Sequence, residues 1–271
     1  MSKVFVTRRI PNEGFQVLDQ AGIAWDCNPD DRVLKPEEIL AGTRGKDGLL
    51  CLLTDAMDKA MLGELAGLKI KGLANYAVGY NNIDVPEATR LKIPVTNTPG
   101  VLTQTTADLA WTLICAVARR VIEGDQLVRS GGWKGWGPLQ FLGGEINGAT
   151  LGIVGAGRIG YALAERAKAF KMKVLYFARG THADFDGLGA RKTDLTTLLK
   201  ESDFVSVHVP LNVETRHLIG EKEIRLMKRT AYLINTSRGP TVDESALVEM
   251  LKQGVLAGAG LDVYEEEPKV H

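Results

Sequence analysis

The sequence predicts an α/β protein made of two Rossmann-like or flavodoxin-like domains, each with a parallel sheet. Three observations carry that expectation. From the N-terminus, short β-branched runs alternate with helical stretches, as in a parallel sheet covered by helices on both faces. The stretch IPVTNTPG, with Pro94, Pro99 and Gly100, then punctuates the chain and marks a boundary. Finally, a glycine-rich turn at residues 155–160 opens a second round of alternation. The expected division is a first domain over residues 1–98 and a second over 99–271.

The elements follow in order. VFVT is the first strand, Pro11 to Ala21 the first helix and IAWDCN the second strand. A helix opens at Pro36-Glu37-Glu38, DGLLCLL is the next strand, and the runs continue through LKIKGLANYAVG. Thr103 to Arg120 reads as one long helix, with Leu109, Leu113 and Val117 at i, i+4 and i+8 on an apolar face. A linker with Gly131-Gly132-Trp133, Gly135-Trp136-Gly137-Pro138 and Gly143-Gly144 comes next. Tryptophans set among glycines predict an ordered loop folded against something apolar. Beyond the glycine-rich turn, the strand DFVSVHVP contains His208, and a helix starts at Glu221. The strand TAYLINTSRGP, a helix over Glu244 to Gln253 and the segment VLAGAGLDVYEEEP complete the pattern.

Composition narrows the function classes. The 33 basic and 33 acidic residues cancel, which removes a global electrostatic reason to bind nucleic acid or an anionic membrane. The apolar run from Leu109 to Ala118 is too short to span a bilayer and reads as a buried helix. The start, MSKVFVTRRI, lacks the apolar stretch of a signal peptide. Cys27, Cys51 and Cys115 are odd in number and show no C-x-x-C spacing, so neither a disulfide framework nor a metal site is expected. A cytoplasmic location follows as the expectation.

The glycine-rich turn is the most informative segment. Gly155, Gly157 and Gly160 form G-x-G-x-x-G between the strand Leu151 to Val154 and a helix through Phe170, with a further strand over Lys173 to Phe177. In that setting the first glycine makes the tight turn, the second lets backbone approach a pyrophosphate, and the third lets the helix pack on its strand. The helix N-terminus offers unpaired N–H groups to the phosphates. An acid that would grip an adenosine ribose is expected about 20 residues on. Ala178 stands there instead, followed by Arg179, Gly180 and Thr181. A carboxylate would repel a 2′-phosphate whereas an arginine can pair with it, so NADP is the preferred cofactor, with NAD as the second option and Arg179 then a solvated loop residue. Arg238, set between Ser237 and Gly239 after an apolar strand, falls at the carboxyl end of the sheet, where open α/β sheets bind ligands.

With these pieces in order, the chain resembles the D-isomer-specific 2-hydroxyacid dehydrogenases over essentially its whole length, and most closely the glyoxylate and hydroxypyruvate reductases. The resemblance rests on NYAVGYNNIDV, TNTPGVLTQTTADLAW, GGWKGWGPLQFLGG, TLGIVGAGRIG, HVPLNVETRHLIG, LINTSRGPTVDESAL and AGAGLDVYEEEP. It implies an active site in the cleft between the two domains. It assigns catalysis to Arg238 and Glu267, and the substrate carboxylate to Arg238 and the N–H groups of Val78 and Gly79. It assigns Arg158, Ile159 and Gly160 to the pyrophosphate, Thr106 to a phosphate, and Pro210, Thr236 and Asp262 to the nucleoside and nicotinamide ends. A guanidinium can hold a 2-oxo acid carboxylate bidentately and polarise the carbonyl, and a glutamate can favour and orient a protonated histidine. Trp136 is expected to shape a substrate pocket, that of the partner subunit in a homodimer being one option, or to pack in the core.

One part of the family pattern is not found. Its acid histidine stands in a proline-histidine-isoleucine-glycine segment, and none of His182, His208, His217 and His271 occupies such a segment. The expectation is that the polymer continues beyond the residues given, with a catalytically impaired shorter form as the other option. The activity implied is NAD(P)H-dependent reduction of glyoxylate or hydroxypyruvate to the D-2-hydroxy acid. The rival class is a dinucleotide-responsive binding protein, such as the corepressors built on the same fold.

Overall fold

A computed structural model describes residues 2–271. The chain divides into two compact units, Met1–Val101 and Leu102–His271. In the first unit, strands β1 (Lys3–Val6), β2 (Ala24–Cys27), β3 (Gly48–Cys51), β4 (Gly72–Asn75) and β5 (Val95–Thr96) alternate with helices α1 (Asn12–Gln20), α2 (Pro36–Thr43), α3 (Lys59–Gly67) and α4 (Val85–Arg90). All pairings are parallel, in the order β2-β1-β3-β4-β5. This is the flavodoxin-like arrangement, which forms because each helix crosses over to return the chain parallel to the previous strand. Phe5, Leu49, Leu62, Leu65 and Leu73 centre the core on one face, and Val6, Ile10 and Phe15 a smaller one on the other.

The second unit begins with two helices, α5 (Thr103–Ala118) and α6 (Val121–Arg129). It continues β6 (Thr150–Val154), α7 (Arg158–Ala169), β7 (Lys173–Phe177), α8 (Ala183–Gly187), β8 (Arg191–Lys192), α9 (Leu195–Glu201) and β9 (Phe204–Val207). Helix α10 (Glu221–Ile224), β10 (Tyr232–Asn235), a 3₁₀ turn at Gly239–Thr241, α11 (Glu244–Lys252) and β11 (Gly258–Leu261) close it. The parallel order β11-β10-β9-β6-β7-β8 is that of a Rossmann fold, and the strand order reverses between β6 and β9. Buried side chains fill both faces: Ala110, Ile114, Leu163 and Tyr176 on one, Leu198, Val205, Leu233 and Leu247 on the other.

Four features differ from the sequence expectations. The buried stripe of α5 is Ala107, Ala110, Ile114 and Ala118, all fully buried, and not the Leu109, Leu113, Val117 face. Small alanines are selected because α5 packs closely on α7, while Leu113 and Val117 lie at the margin over Gly260 of β11, and Leu109 is exposed. A further helix, α6, precedes the linker; its break from α5 is made by Arg120 in a left-handed conformation, which propensity did not reveal. The linker tryptophans are not folded on an apolar surface of this chain: Trp133 is 56% exposed and Trp136 83%. His208 also falls just after β9 and not within it.

Candidate active site

At the reversal point the glycine turn is sterically committed. Gly155 has φ +109°, and a Cβ there would lie 2.7 Å from the carbonyl carbon of His208. A Cβ on Gly160 would meet the Gly155 carbonyl oxygen at 2.5 Å and Ile153 at 2.9 Å, so α7 can approach β6 only with glycine there. Beside Gly157 nothing lies within 4 Å, leaving the backbone approachable. Helices α3, α4, α9 and α11 are each capped by an aspartate, Asp58, Asp84, Asp194 and Asp243. Helix α7 starts at Arg158 with no side-chain cap, which leaves the first-turn N–H groups of Arg158, Ile159 and Gly160 for an anion. A cavity of about 460 Å³ adjoins them, lined among others by Thr103, Gln104, Gly157, Arg158 and His182. Thr106 lies in the first turn of α5.

Ala178 follows β7 directly, and no carboxylate stands at that strand end. The Arg179 side chain is 88% exposed, its nearest acid being Glu214 at 3.7 Å, and Thr181 is exposed beside it. The loop is tied down by the His182 N–H donating to the Tyr176 hydroxyl (3.4 Å), which in turn donates to Asp186 (2.9 Å).

The ends of β9, β10 and β11 gather the other candidates of the second unit. His208 shares a hydrogen bond with Ser206 Oγ at 2.9 Å, and burial pulls its pKa down to about 4, so the ring is neutral near pH 7. The Pro210 carbonyl accepts from the Thr215 hydroxyl at 2.5 Å. Thr236 is buried, and its hydroxyl alone among buried side-chain polar atoms of the described residues finds no partner. Asn235 Nδ2 (2.9 Å) and the Thr241 hydroxyl (2.7 Å) both donate to the Arg238 carbonyl and fix that backbone. The half-buried Arg238 guanidinium donates to the Ser237 carbonyl at 2.7 Å. Burial depresses its pKa, and the nearby Glu267 carboxylate works against that. Glu267 Oε1 accepts from the Tyr264 N–H at 2.9 Å. Asp262 has its pKa raised, first by burial and then by Glu267. Arg238, Asp262 and Glu267 are thus brought together.

A group not foreseen in the sequence holds that arrangement. Glu265 accepts from Arg216 (3.0 Å) and contacts His217 Nε2 (2.6 Å), and its N–H donates to the buried Glu244 carboxylate at 2.6 Å.

In the first unit, Val78 and Gly79 follow β4, and neither N–H has an acceptor among the described residues. Among the described residues no His, Cys, Asp and Glu group could hold a metal ion, and no helix is long and apolar enough to cross a membrane.

The profile for "D-isomer specific 2-hydroxyacid dehydrogenase, NAD binding domain" matches residues 111–271. The glyoxylate reductase of Thermococcus litoralis is 54% identical over 271 residues, covering 98% of this chain and 81% of that protein. Among solved structures, a glyoxylate reductase from Paecilomyes thermophila superposes with a TM-score of 0.89 at 32% identity, covering all of this chain and 84% of the other. An acyclic imino acid reductase solved with NADPH and D-Arg gives 0.89 at 30% identity, with 100% and 85% coverage.

Proposed function

The chain belongs to the D-isomer-specific 2-hydroxyacid dehydrogenase family, an NAD(P)H-dependent reductase of 2-oxo acids, and we propose that its substrate is glyoxylate or hydroxypyruvate, with NADPH preferred over NADH. The observation that carries the reading is the half-buried guanidinium of Arg238 with the carboxylate of Glu267 close by. A guanidinium partly withdrawn from water pairs more strongly with a carboxylate than an exposed one does. Arg238 binds the acid group of the substrate and draws charge onto its carbonyl oxygen. The N–H groups of Val78 and Gly79 bind the same acid group.

The residues of the second unit fit a dinucleotide: the open backbone at Gly157, the uncapped start of α7 and the unpartnered Thr236 hydroxyl are all groups that a polar ligand would satisfy. Arg158, Ile159 and Gly160 would hold its pyrophosphate, Thr106 a phosphate, Ala178, Arg179 and Thr181 the 2′-phosphate end, and Pro210, Thr236 and Asp262 the nucleoside and carboxamide groups. When bound, the reduced nicotinamide supplies hydride to the substrate carbonyl carbon. Glu267 orients a proton-donating imidazole and favours its charged form. His208 and His217 are engaged with Ser206 and Glu265, and His208, neutral at pH 7, is not charged for the imidazolium role.

Exposed Val121, Ile122 and Val128 on α6, with Trp133, Trp136 and Leu139 in the linker, support pairing with a second copy of the chain. Three free cysteines suit a reducing cytoplasm. The test is NADPH oxidation with glyoxylate and hydroxypyruvate, comparing Arg238→Gln with the unaltered chain. Loss of about 10²-fold or more in kcat/KM is expected, the scale for removing one charge-stabilising donor. Equal turnover in the variant would refute the assignment.

A further inference from the structure

We infer that Asn75 and Asn97 are positioning residues that aim a row of three backbone N–H groups, those of Val78, Gly79 and Tyr80, at the carboxylate of the 2-oxo acid. The inference rests on the proposed assignment of Val78 and Gly79 to that carboxylate, and it adds the Tyr80 N–H as a donor.

Three successive carbonyls in this loop are engaged. The Thr98 N–H donates to the Ala77 carbonyl at 2.9 Å, Asn97 Nδ2 to Val78 at 2.8 Å, and Asn75 Nδ2 to Gly79 at 2.8 Å. In a trans peptide the C=O and the following N–H point in opposite directions. Pinning the carbonyls of residues 77, 78 and 79 therefore turns the N–H groups of residues 78, 79 and 80 away from the pinning partners. None of these three N–H groups has an acceptor among the described residues; Val78 and Gly79 are half-buried, where water replaces a missing partner only in part, and Tyr80 is exposed. Three consecutive free donors form a concentration of partial positive charge suited to an oxyanion.

The orientation of Asn75 is itself dictated. Its Oδ1 accepts from Cys51 Sγ (3.4 Å) and Asn82 Nδ2 (3.3 Å), which leaves Nδ2 for the Gly79 carbonyl. Asn82 Nδ2 also donates to the carbonyls of Leu52 and Asp55, both at 3.1 Å. Asp55 is buried and accepts from the Thr7 hydroxyl (2.5 Å) and the Leu52 N–H (2.8 Å). The chain of hydrogen bonds runs from Thr7, just after β1, to the loop, and Asn75 Nδ2 also donates to Asn82 Oδ1 (3.4 Å), so the amide is held in this orientation. The choice of amide over carboxylate is also explained. An aspartate at position 75 or 97 could not donate to a carbonyl, and its charge would repel the anion that the N–H row is built to receive.

The experiment measures binding of oxamate, a non-reducible 2-oxo acid mimic, to the NADPH-saturated full chain by titration calorimetry. Asn97 is half-buried at the end of its strand, so Asn97→Ala is the primary variant, and Asn97→Ser, too short to reach the carbonyl, the second. Each is expected to weaken oxamate about tenfold, the scale of one net hydrogen bond lost, with NADPH affinity within twofold. The ¹H–¹⁵N signals of Gly79 and Tyr80 should shift on oxamate addition and lose that response in the variants, which a purely structural role for Asn97 would not produce. Unchanged oxamate affinity in both variants overturns the inference. If Arg238→Gln abolishes binding while the Asn97 variants do not weaken it, the positioning role falls and the proposed function stands. If oxamate affinity ignores Arg238 as well, the carboxylate assignment falls with it.

Discussion

Replacing Gly239 by alanine tests whether Arg238 and Glu267 are held in register by backbone contact. A Cβ on Gly239 would stand 1.8 Å from the Tyr264 carbonyl oxygen and 2.0 Å from its carbon. Ordinary contact begins at 3.4 Å, so the two segments must separate by about 1.6 Å. Both obstructing atoms are backbone, so no side-chain rotation relieves the clash. The separation acts one residue from Arg238 and three from Glu267. Overpacking of this kind costs about 1–3 kcal/mol, and a displacement of about 1 Å near a reacting group costs on the order of 10²-fold in rate. The melting temperature should fall by about 2–4 °C per kcal/mol for a unit of this size. The assay is thermal unfolding together with kcat/KM for glyoxylate. Gly63→Ala, on α3 with nothing within 4 Å of the added carbon, is the control and should be neutral or slightly stabilising. A Gly239→Ala protein that melts with the unaltered chain and turns over within twofold of it would show that this contact positions nothing.

Two further outcomes follow from groups at the ends of β9 and β10. Thr236→Val removes a buried hydroxyl without a partner, so the ligand-free chain should be as stable or gain roughly 1 kcal/mol, while NADPH binds severalfold more weakly; denaturant unfolding and fluorescence titration read the two effects, and tighter NADPH binding would contradict the assignment. His208 has a folded pKa of about 4 against 6.5 when unfolded, so its contribution is fully present above pH 6.5 and is lost as pH falls toward 4. The slope is at most about 1.4 kcal/mol per pH unit, and His208→Gln should lose less stability than the unaltered chain between pH 7 and 4.5; equal losses would mean that the ring is not shielded from water.

What could be read from the sequence was whatever depends on local spacing. The strand, turn and helix around Gly155, Gly157 and Gly160 are legible because each glycine answers a steric demand set within a few residues. The parallel character of both sheets follows from alternation, since parallel strands need crossovers, whereas the strand orders do not. The buried face of α5 was misread because apolar spacing identifies large side chains, while close packing on α7 selects Ala107, Ala110 and Ala118. The α5–α6 break escaped because it depends on one left-handed residue, Arg120, that no composition rule marks. The group around Glu265 brings together residues 216, 217, 244 and 265, and no local pattern encodes a contact between elements nearly 50 residues apart.

The polar atoms that the fold leaves without partners are themselves informative. Folding strongly disfavours unpaired buried or oriented polar groups, so a chain that leaves a few of them open incurs a cost that must be offset elsewhere. In the second unit the open groups include the Thr236 hydroxyl and the N–H groups opening α7, a helix without the aspartate cap that α9 and α11 carry. In the first unit they are the N–H groups of residues 78–80, although every carbonyl from residue 77 to 79 is engaged. An aspartate at position 157 could cap α7, and a side-chain acceptor near residue 79 could close the loop, each with a gain in stability. Both would fill positions where the reading places phosphate and carboxylate oxygens. Stability and ligand affinity should therefore move in opposite directions at these positions, a coupling that general surface substitutions do not show.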